Sequence, residues 1–288
     1  MSVALKIEAL QPTGSFKIRG IGRVCQIHAE QGKTHLISSS GGNAGIAAAY
    51  AGRQLNIPVT VVVPETTTKR AIELIRQENA EVLVHGASWL EAHALAQSMQ
   101  NENTAFIHPF DDPQMWTGHA SMITELVQAG HDFDAVVLAV GGGGLLSGVV
   151  EGLRMHGLGE IPVIAVETEG ADALFQSVQA GAQVTLDRIE SIATSLGAKQ
   201  VCANAYALTK THDIRCTRVT DRQALQACLQ FLQDHRILVE PACGAALAAL
   251  YVQGAELSQS FKAPLVIVCG GVTATHAQIQ TWLEQAVS

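Results

Sequence analysis

The chain has 288 residues, a formal net charge of -8, and 48% hydrophobic against 15% charged residues. Globular chains carry about 25% charged residues, so this composition is core-rich and excludes disorder, while the acidic balance and the lack of a basic run exclude an electrostatic nucleic-acid footprint. No apolar span reaches membrane-crossing length, and "MSVALKIEAL" lacks the regions of a secretion signal, so a soluble cytoplasmic protein of one large or two moderate domains is expected.

In chain order, "GSFKIRG" (14–20) comes first and sets Lys17, one of seven lysines, between Phe16 and Ile18. A lysine amine attacks carbonyls when it forms a Schiff base. The plain alternative is a solvated amine on a buried stem, and this motif alone leaves it standing. "HLIS" (35–38) reads as a strand and "NAGIAAAYAGRQL" (43–55) as a helix. "PVTVVVP" (58–64) and "EVLVH" (81–85) read as strands, with the helices "TTKRAIELIRQ" and "SWLEAHALAQSM" after them, and "AFIH" (105–108) is a short strand. "HPFDDP" (108–113) is a Pro-bounded, turn-like break.

The rhythm then repeats. Strands "DAVVLAV" and "PVIAVE" precede helices "LLSGVVEGL" and "DALFQSVQAG". "DRQALQACLQFLQDH" and "PACGAALAALY" are helices, "PLVIVC" is a strand, and "ATHAQIQTWLEQA" is a closing helix. Alternating βαβα elements with near-continuous apolar strands predict α/β architecture with two mostly parallel sheets.

Ligands of such sheets bind beyond the carboxyl ends of the strands. After "HLIS" comes "SSGGNAG" (39–45), where open N–H groups at a helix start suit a carboxylate or phosphate. The competing reading is a plain helix cap by Ser40 or Asn43. After "DAVVLAV" come Gly141, Gly142, Gly143 and Gly144, read as a phosphate loop because a backbone without side chains lets a ligand approach. The loop fails G-x-G-x-x-G, since Ser147 or Leu146 takes the last position, yet Glu167 near the end of the next strand keeps a nicotinamide oxidoreductase open as an alternative. Cys269 follows "PLVIV" and by residue type alone is a buried small hydrophobe, a redox thiol or a nucleophile. The six cysteines form no CxxC pair and the eleven histidines no zinc spacing, so reduced thiols and no zinc are expected.

"GSFKIRG", "SSSGGNAGIAAAY", "PFDDPQMWTGHAS", "AVGGGGLLSGVVEGL", "VIAVETEGA", "SIATSLGAK", "LVEPACGAALAAL" and "VIVCGG" occur in that order. Together they resemble the serine dehydratase and serine dehydratase-like enzymes (L-serine/L-threonine ammonia-lyases), within the tryptophan-synthase-like, fold type II pyridoxal-phosphate enzymes. The resemblance spans nearly the whole chain. It implies two three-layer α/β/α domains, a large one over 1–16 and 110–288 and a small one over 17–109. The implied activity is dehydration of L-serine, with L-threonine as a second substrate, to a keto acid and ammonia by a homodimer. Catalytically weak binding of pyridoxal phosphate or an amino acid, or a serine racemase-like activity, are the alternatives.

Residue by residue, the resemblance makes Lys17 the amine that holds pyridoxal 5'-phosphate as an internal aldimine and then the base for the substrate α-proton. Phe16 and Ser195 would lie on opposite faces of the ring, and Asn43 would meet the ring hydroxyl. Gly141, Gly142, Gly143, Gly144 and Leu145 would bind the phosphate, and Cys269 would face the ring nitrogen. Ser40, Gly41, Asn43 and Ala44 would hold the substrate carboxylate. A potassium-like cation is implied at Glu167 with the carbonyls of Gly141, Ala171, Leu196 and Ala198, a hard oxygen shell; the plain alternative for Glu167 is a charge at a helix N-terminus. Glycine at 41, where racemases place a serine, counts against racemisation. Relatives carry a leading segment with a Thr-Pro-Leu-like stretch and a first helix before the region matching "SVALKIEALQPTGSFK", and its lack here is expected to weigh on stability, assembly and activity. One helix after Cys269 leaves no place for a regulatory domain, so isoleucine feedback is not expected.

Overall fold

A computed structural model describes residues 2–252 and 254–286. The chain divides into two compact units, Met1–Leu10 with His119–Ser288, and Gln11–Gly118. The first strand, β1 (Ala4–Ile7), belongs to the larger unit; the chain then passes into helix α1 (Lys17–Glu30) of the smaller one.

The smaller unit holds β2 (His35–Ser38), β3 (Val59–Val63), β4 (Glu81–Val84) and β5 (Thr104–Ile107), with α2 (Asn43–Leu55), α3 (Lys69–Gln77) and α4 (Trp89–Ser98) between them. The sheet order is β4-β3-β2-β5, and every pairing is parallel. β3 is buried along its whole length, as an inner strand of β-branched residues must be, whereas β4 is the exposed edge. Helix α4 starts on a capping box, Ser88 with Glu91. Helix α5 (Pro113–Gln128) begins in this unit and runs past its boundary.

The larger unit holds β6 (Ala135–Ala139), β7 (Val163–Thr168), β8 (Ile214–Val219) and β9 (Pro264–Val268) in the order β1-β9-β6-β7-β8, again all parallel. Its remaining helices are α6 (Gly144–Met155), α7 (Ala173–Ala180), α8 (Ala203–Leu208), α9 (Asp221–His235), α10 (Pro241–Tyr251), α11 (Gly254–Ser260) and α12 (His276–Gln285). Strands β6, β7 and β9 are buried throughout. Helix α10 is buried from Pro241 to Ala249 because its small residues admit α9 at close range. A side chain at Gly244 would put Cβ 2.3 Å from the Ala224 carbonyl oxygen.

The sequence reading finds most of these elements and leaves out α1, α5, β8, α8 and α11. Helix α5 grows directly out of the "HPFDDP" turn, and β8 is an edge strand whose two arginines interrupt any apolar run.

Candidate active site

In the smaller unit, Lys17 is the first residue of α1, preceded by Phe16 with helical dihedrals and no side-chain cap. The lysine is half-buried, and its Nζ donates to the Pro109 carbonyl oxygen at 2.6 Å and lies 5.2 Å from the Phe16 ring centre. It is therefore not the solvated lysine the motif alone allowed. Gly118, on α5, lets α1 pass close by: a Cβ there would sit 2.6 Å from the Arg19 carbonyl oxygen. Just upstream of Lys17, the buried hydroxyls of Thr13 and Ser15 make no hydrogen bond among the described residues.

The loop after β2 does not cap its helix by a side chain. Gly42 is the N-cap of α2, in extended conformation, and neither Ser40 nor Asn43 serves as cap. The Ser40 hydroxyl instead accepts the Gly42 N–H at 3.3 Å, and the Ser39 hydroxyl pairs with His93 Nδ1 at 3.0 Å. The α2 start thus takes no side-chain cap, which counts against the capping reading. Gly45 lies under this loop: a Cβ there would fall 1.9 Å from the Ser40 carbonyl oxygen. Gly41 faces Thr67, whose side chain would lie 2.7 Å from a Cβ.

In the larger unit, β6 runs into Gly141, Gly142 and Gly143, and α6 begins at Gly144 and Leu145. Gly143 is the N-cap with φ +92°, and no side chain caps the helix. The loop is pressed against the segment around Ser195–Ala205. A Cβ on Gly141 would lie 2.9 Å from the Ser195 carbonyl oxygen, and one on Gly143 would lie 2.4 Å from the Ala205 Cβ. The Cys202 N–H donates to the Gly142 carbonyl oxygen at 2.9 Å. Neighbours therefore exclude side chains here, and the helix end offers backbone N–H groups, the arrangement a phosphate needs. Ser195 sits exposed in a short helical turn, Thr194–Leu196, on the rim of a small cavity shared with Glu240 and Trp282.

Cys269 follows β9 and is buried, with its thiol pushed well up by a hydrogen bond with Cys243, by burial, and by the neighbouring Cys243 and Glu240. It is a neutral thiol at working pH. Gly270 and Gly271 follow it with φ of +86° and +112°. This lets the chain pass Glu240, whose carboxylate accepts the Thr273 hydroxyl at 2.7 Å. A Cβ on Gly271 would lie 2.1 Å from the Glu240 carboxyl carbon.

Glu167 is buried near the end of β7, and both of its oxygens accept backbone N–H groups of α7, Leu174 at 2.9 Å and Phe175 at 2.7 Å. Burial nonetheless raises its carboxyl to about 8. The carboxylate is thus committed to a helix start, in the way the plain reading of Glu167 anticipates, and not to a ribose. Ala171 lies in the same turn, bridged to Thr168, and Leu196 lies against Gly141, with the Leu196 carbonyl oxygen accepting the Ala198 N–H at 2.8 Å.

A family model described as "Pyridoxal-phosphate dependent enzyme" matches residues 1–270. The chain belongs to the pyridoxal-phosphate-dependent enzymes. Within this family it is 47% identical over 294 residues to the human "L-serine dehydratase/L-threonine deaminase", covering 99% of this chain and 90% of the relative. It is 48% identical to the mouse "Serine dehydratase-like" protein, covering 97% and 88%. A solved L-serine ammonia-lyase from Rhizomucor miehei superposes with a TM-score of 0.92 at 33% identity, covering 98% of this chain and 92% of that one. The two parallel-sheet α/β units are those of fold type II pyridoxal-phosphate enzymes. The nicotinamide alternative has no further support.

Proposed function

We propose that this chain is an ammonia-lyase that dehydrates L-serine to pyruvate and ammonia, and L-threonine to 2-oxobutanoate and ammonia. The observation that carries the reading is the near-full-length similarity to L-serine dehydratases. The residues present fit the cofactor: a lysine amine held by a carbonyl in half-buried surroundings, an uncapped glycine helix start, and a buried neutral thiol.

When bound, pyridoxal phosphate supplies an aldehyde that condenses with amines and a ring that draws electron density from the substrate α-carbon. In our reading Lys17 holds it and then takes the α-proton. Phe16 and Ser195 would flank the two faces of its ring, Asn43 would meet its hydroxyl, and the N–H groups of Gly141, Gly142, Gly143, Gly144 and Leu145 would bind its phosphate. Cys269 would face the ring nitrogen as a neutral thiol, which could not hold that nitrogen protonated as an aspartate would. Ser40, Gly41, Asn43 and Ala44 orient the substrate carboxylate at the uncapped start of α2, so that its α-hydrogen faces the lysine. A serine in place of Gly41 would press on Thr67, which favours dehydration over racemisation.

A potassium ion beside Glu167, with carbonyls of Gly141, Ala171, Leu196 and Ala198, would offset the charge of a carboxylate that burial disfavours. A homodimer and a cytoplasmic location complete the proposal, the latter in keeping with six cysteines that are all free thiols.

The test is direct. Protein purified with pyridoxal phosphate develops a visible band and forms pyruvate from L-serine, and Lys17→Ala loses both the covalent band and the keto acid. Absence of keto acid from both L-serine and L-threonine, or a covalent band that survives Lys17→Ala, refutes the assignment.

A further inference from the structure

The turn that receives Lys17 is held by a histidine to which the mechanism above gives no role. His108 follows β5, and its Nδ1 accepts two backbone N–H groups from its own turn, Asp111 at 2.8 Å and Phe110 at 3.2 Å. An imidazole nitrogen that accepts is unprotonated, so the geometry fixes the tautomer with the proton on Nε2. The far side of the turn is anchored as well: Trp116 Nε1 donates to the Phe110 carbonyl oxygen at 2.9 Å. Pro109 lies between these two clamps, and its carbonyl takes the Lys17 amine at 2.6 Å. His108 is itself boxed in edge-on by Phe110, at 4.8 Å between ring centres, and by His93 at 5.9 Å. His93 is in turn stacked on Trp89 and bonded to Ser39.

We propose that His108 is a positioning residue for Lys17: its ring shapes the 108–111 turn so that the Pro109 carbonyl gives the lysine amine a fixed resting place and a partner for its positive charge. This rests on the role of Lys17 proposed above. When Lys17 removes the α-proton, the substrate C–H bond breaks, a new N–H bond forms on Nζ, and the electron pair stays with the carbon. The resulting ammonium needs an acceptor at once, and Pro109 supplies it without a counter-charge that would trap the proton there.

The titratable groups around His108 agree with a ring that stays neutral. His93 faces it from α4 and Lys17 from α1, while Asp111 and Asp112, on its own turn, act on each other. Burial, followed by His93 and Lys17, pushes His108 down to about 4. The two N–H bonds on Nδ1 therefore survive across the working range, and the turn keeps its shape.

The experiment compares His108→Ala with His108→Asn in the holoenzyme. An asparagine oxygen can accept the N–H two residues on, as in an Asx-turn, so it restores an acceptor without the ring. Expected for His108→Ala is a kcat lower by about tenfold with KM for L-serine and cofactor content near wild type. The acid limb of kcat, and the pH at which the visible cofactor band titrates, shift downward because positive charge on the Lys17 nitrogen is no longer met by the Pro109 carbonyl. His108→Asn recovers most of both. Nitrogen NMR of the wild-type holoenzyme shows His108 in the Nε2–H form. A His108→Ala enzyme with wild-type kcat and unmoved titrations overturns the proposal, and so does His108→Asn as impaired as His108→Ala. A failure of the dehydratase reading looks different: wild-type protein then makes no keto acid, and the titration of the cofactor band in the two variants still decides the role of His108.

Discussion

Gly143 offers the sharpest test of the glycine loop, because two separate costs of a side chain can be distinguished there. Its φ of +92° lies in the left-handed region, and a Cβ would land 2.4 Å from the Ala205 Cβ and 3.3 Å from the Cys202 Sγ. Gly130 is the natural control, with φ +70° and nothing within 4 Å of its Cβ. Gly130→Ala bears only the backbone term, about 1–2 kcal/mol. Gly143→Ala adds overpacking of about 1–3 kcal/mol, for a total of about 2–5 kcal/mol. Urea unfolding followed by circular dichroism gives the ordering, provided that the slopes match between variants. Equilibrium titration with pyridoxal phosphate gives the functional half: affinity falls for Gly143→Ala and not for Gly130→Ala. Equal destabilisation of the two variants, or an unchanged affinity in Gly143→Ala, refutes the reasoning.

Glu167 predicts a pH and salt effect. Folded, it keeps its proton up to about 8, whereas its ordinary value is 4.5. The native state therefore binds the extra proton between those values, and stability falls as pH rises from 4.5 through 8. A potassium ion beside the carboxylate flattens that slope. Urea midpoints from pH 5.5 to 8.5 in potassium and in tetramethylammonium salts should diverge with rising pH, and superimposable curves exclude the cation site. The thiols give another test. Burial pushes Cys25 and Cys216 up to about 12 and raises Cys228, and Cys269 is raised chiefly by its bond with Cys243. Since the thiolate is the reactive form, an aromatic disulfide reagent at pH 8 should modify these four in native protein at least about a hundredfold more slowly than in denaturant. Rapid native labelling of Cys269, located by peptide mapping, contradicts the neutral buried thiol.

Elements with strong local chemistry were legible in the sequence. The β-branched run of β3 and the alanine-rich α2 stand where periodicity puts them, and α10 runs from Pro241 to Tyr251 as read. Helix α1 went unread because Gly20 and Gly22 weaken its pattern, and Gly20 serves the close approach of Gly118. The places of the glycine loop after β6 and of Cys269 after β9 were legible because the apolar runs before them read as strands. Two features were not legible: the bond of Lys17 to the Pro109 carbonyl and the two N–H donors on His108. The first joins residues 92 positions apart, and both depend on backbone directions that a one-dimensional pattern does not carry.

The pairing of β1 with β9 has a consequence for how the chain is made. Within its sheet β1 has one neighbour, residues 264–268, and β6 must also take β9 on its open side. The residues of the smaller unit, in contrast, are contiguous, Gln11–Gly118, and are all made before β9. At synthesis rates of about 5–20 residues per second, Ala4–Ile7 must wait roughly 13–50 s for its partner to emerge. The smaller unit can fold within that interval. The unpaired β1 and β6 edges stay open until β9 is made, and this window is where chaperone binding or aggregation of nascent chains should concentrate.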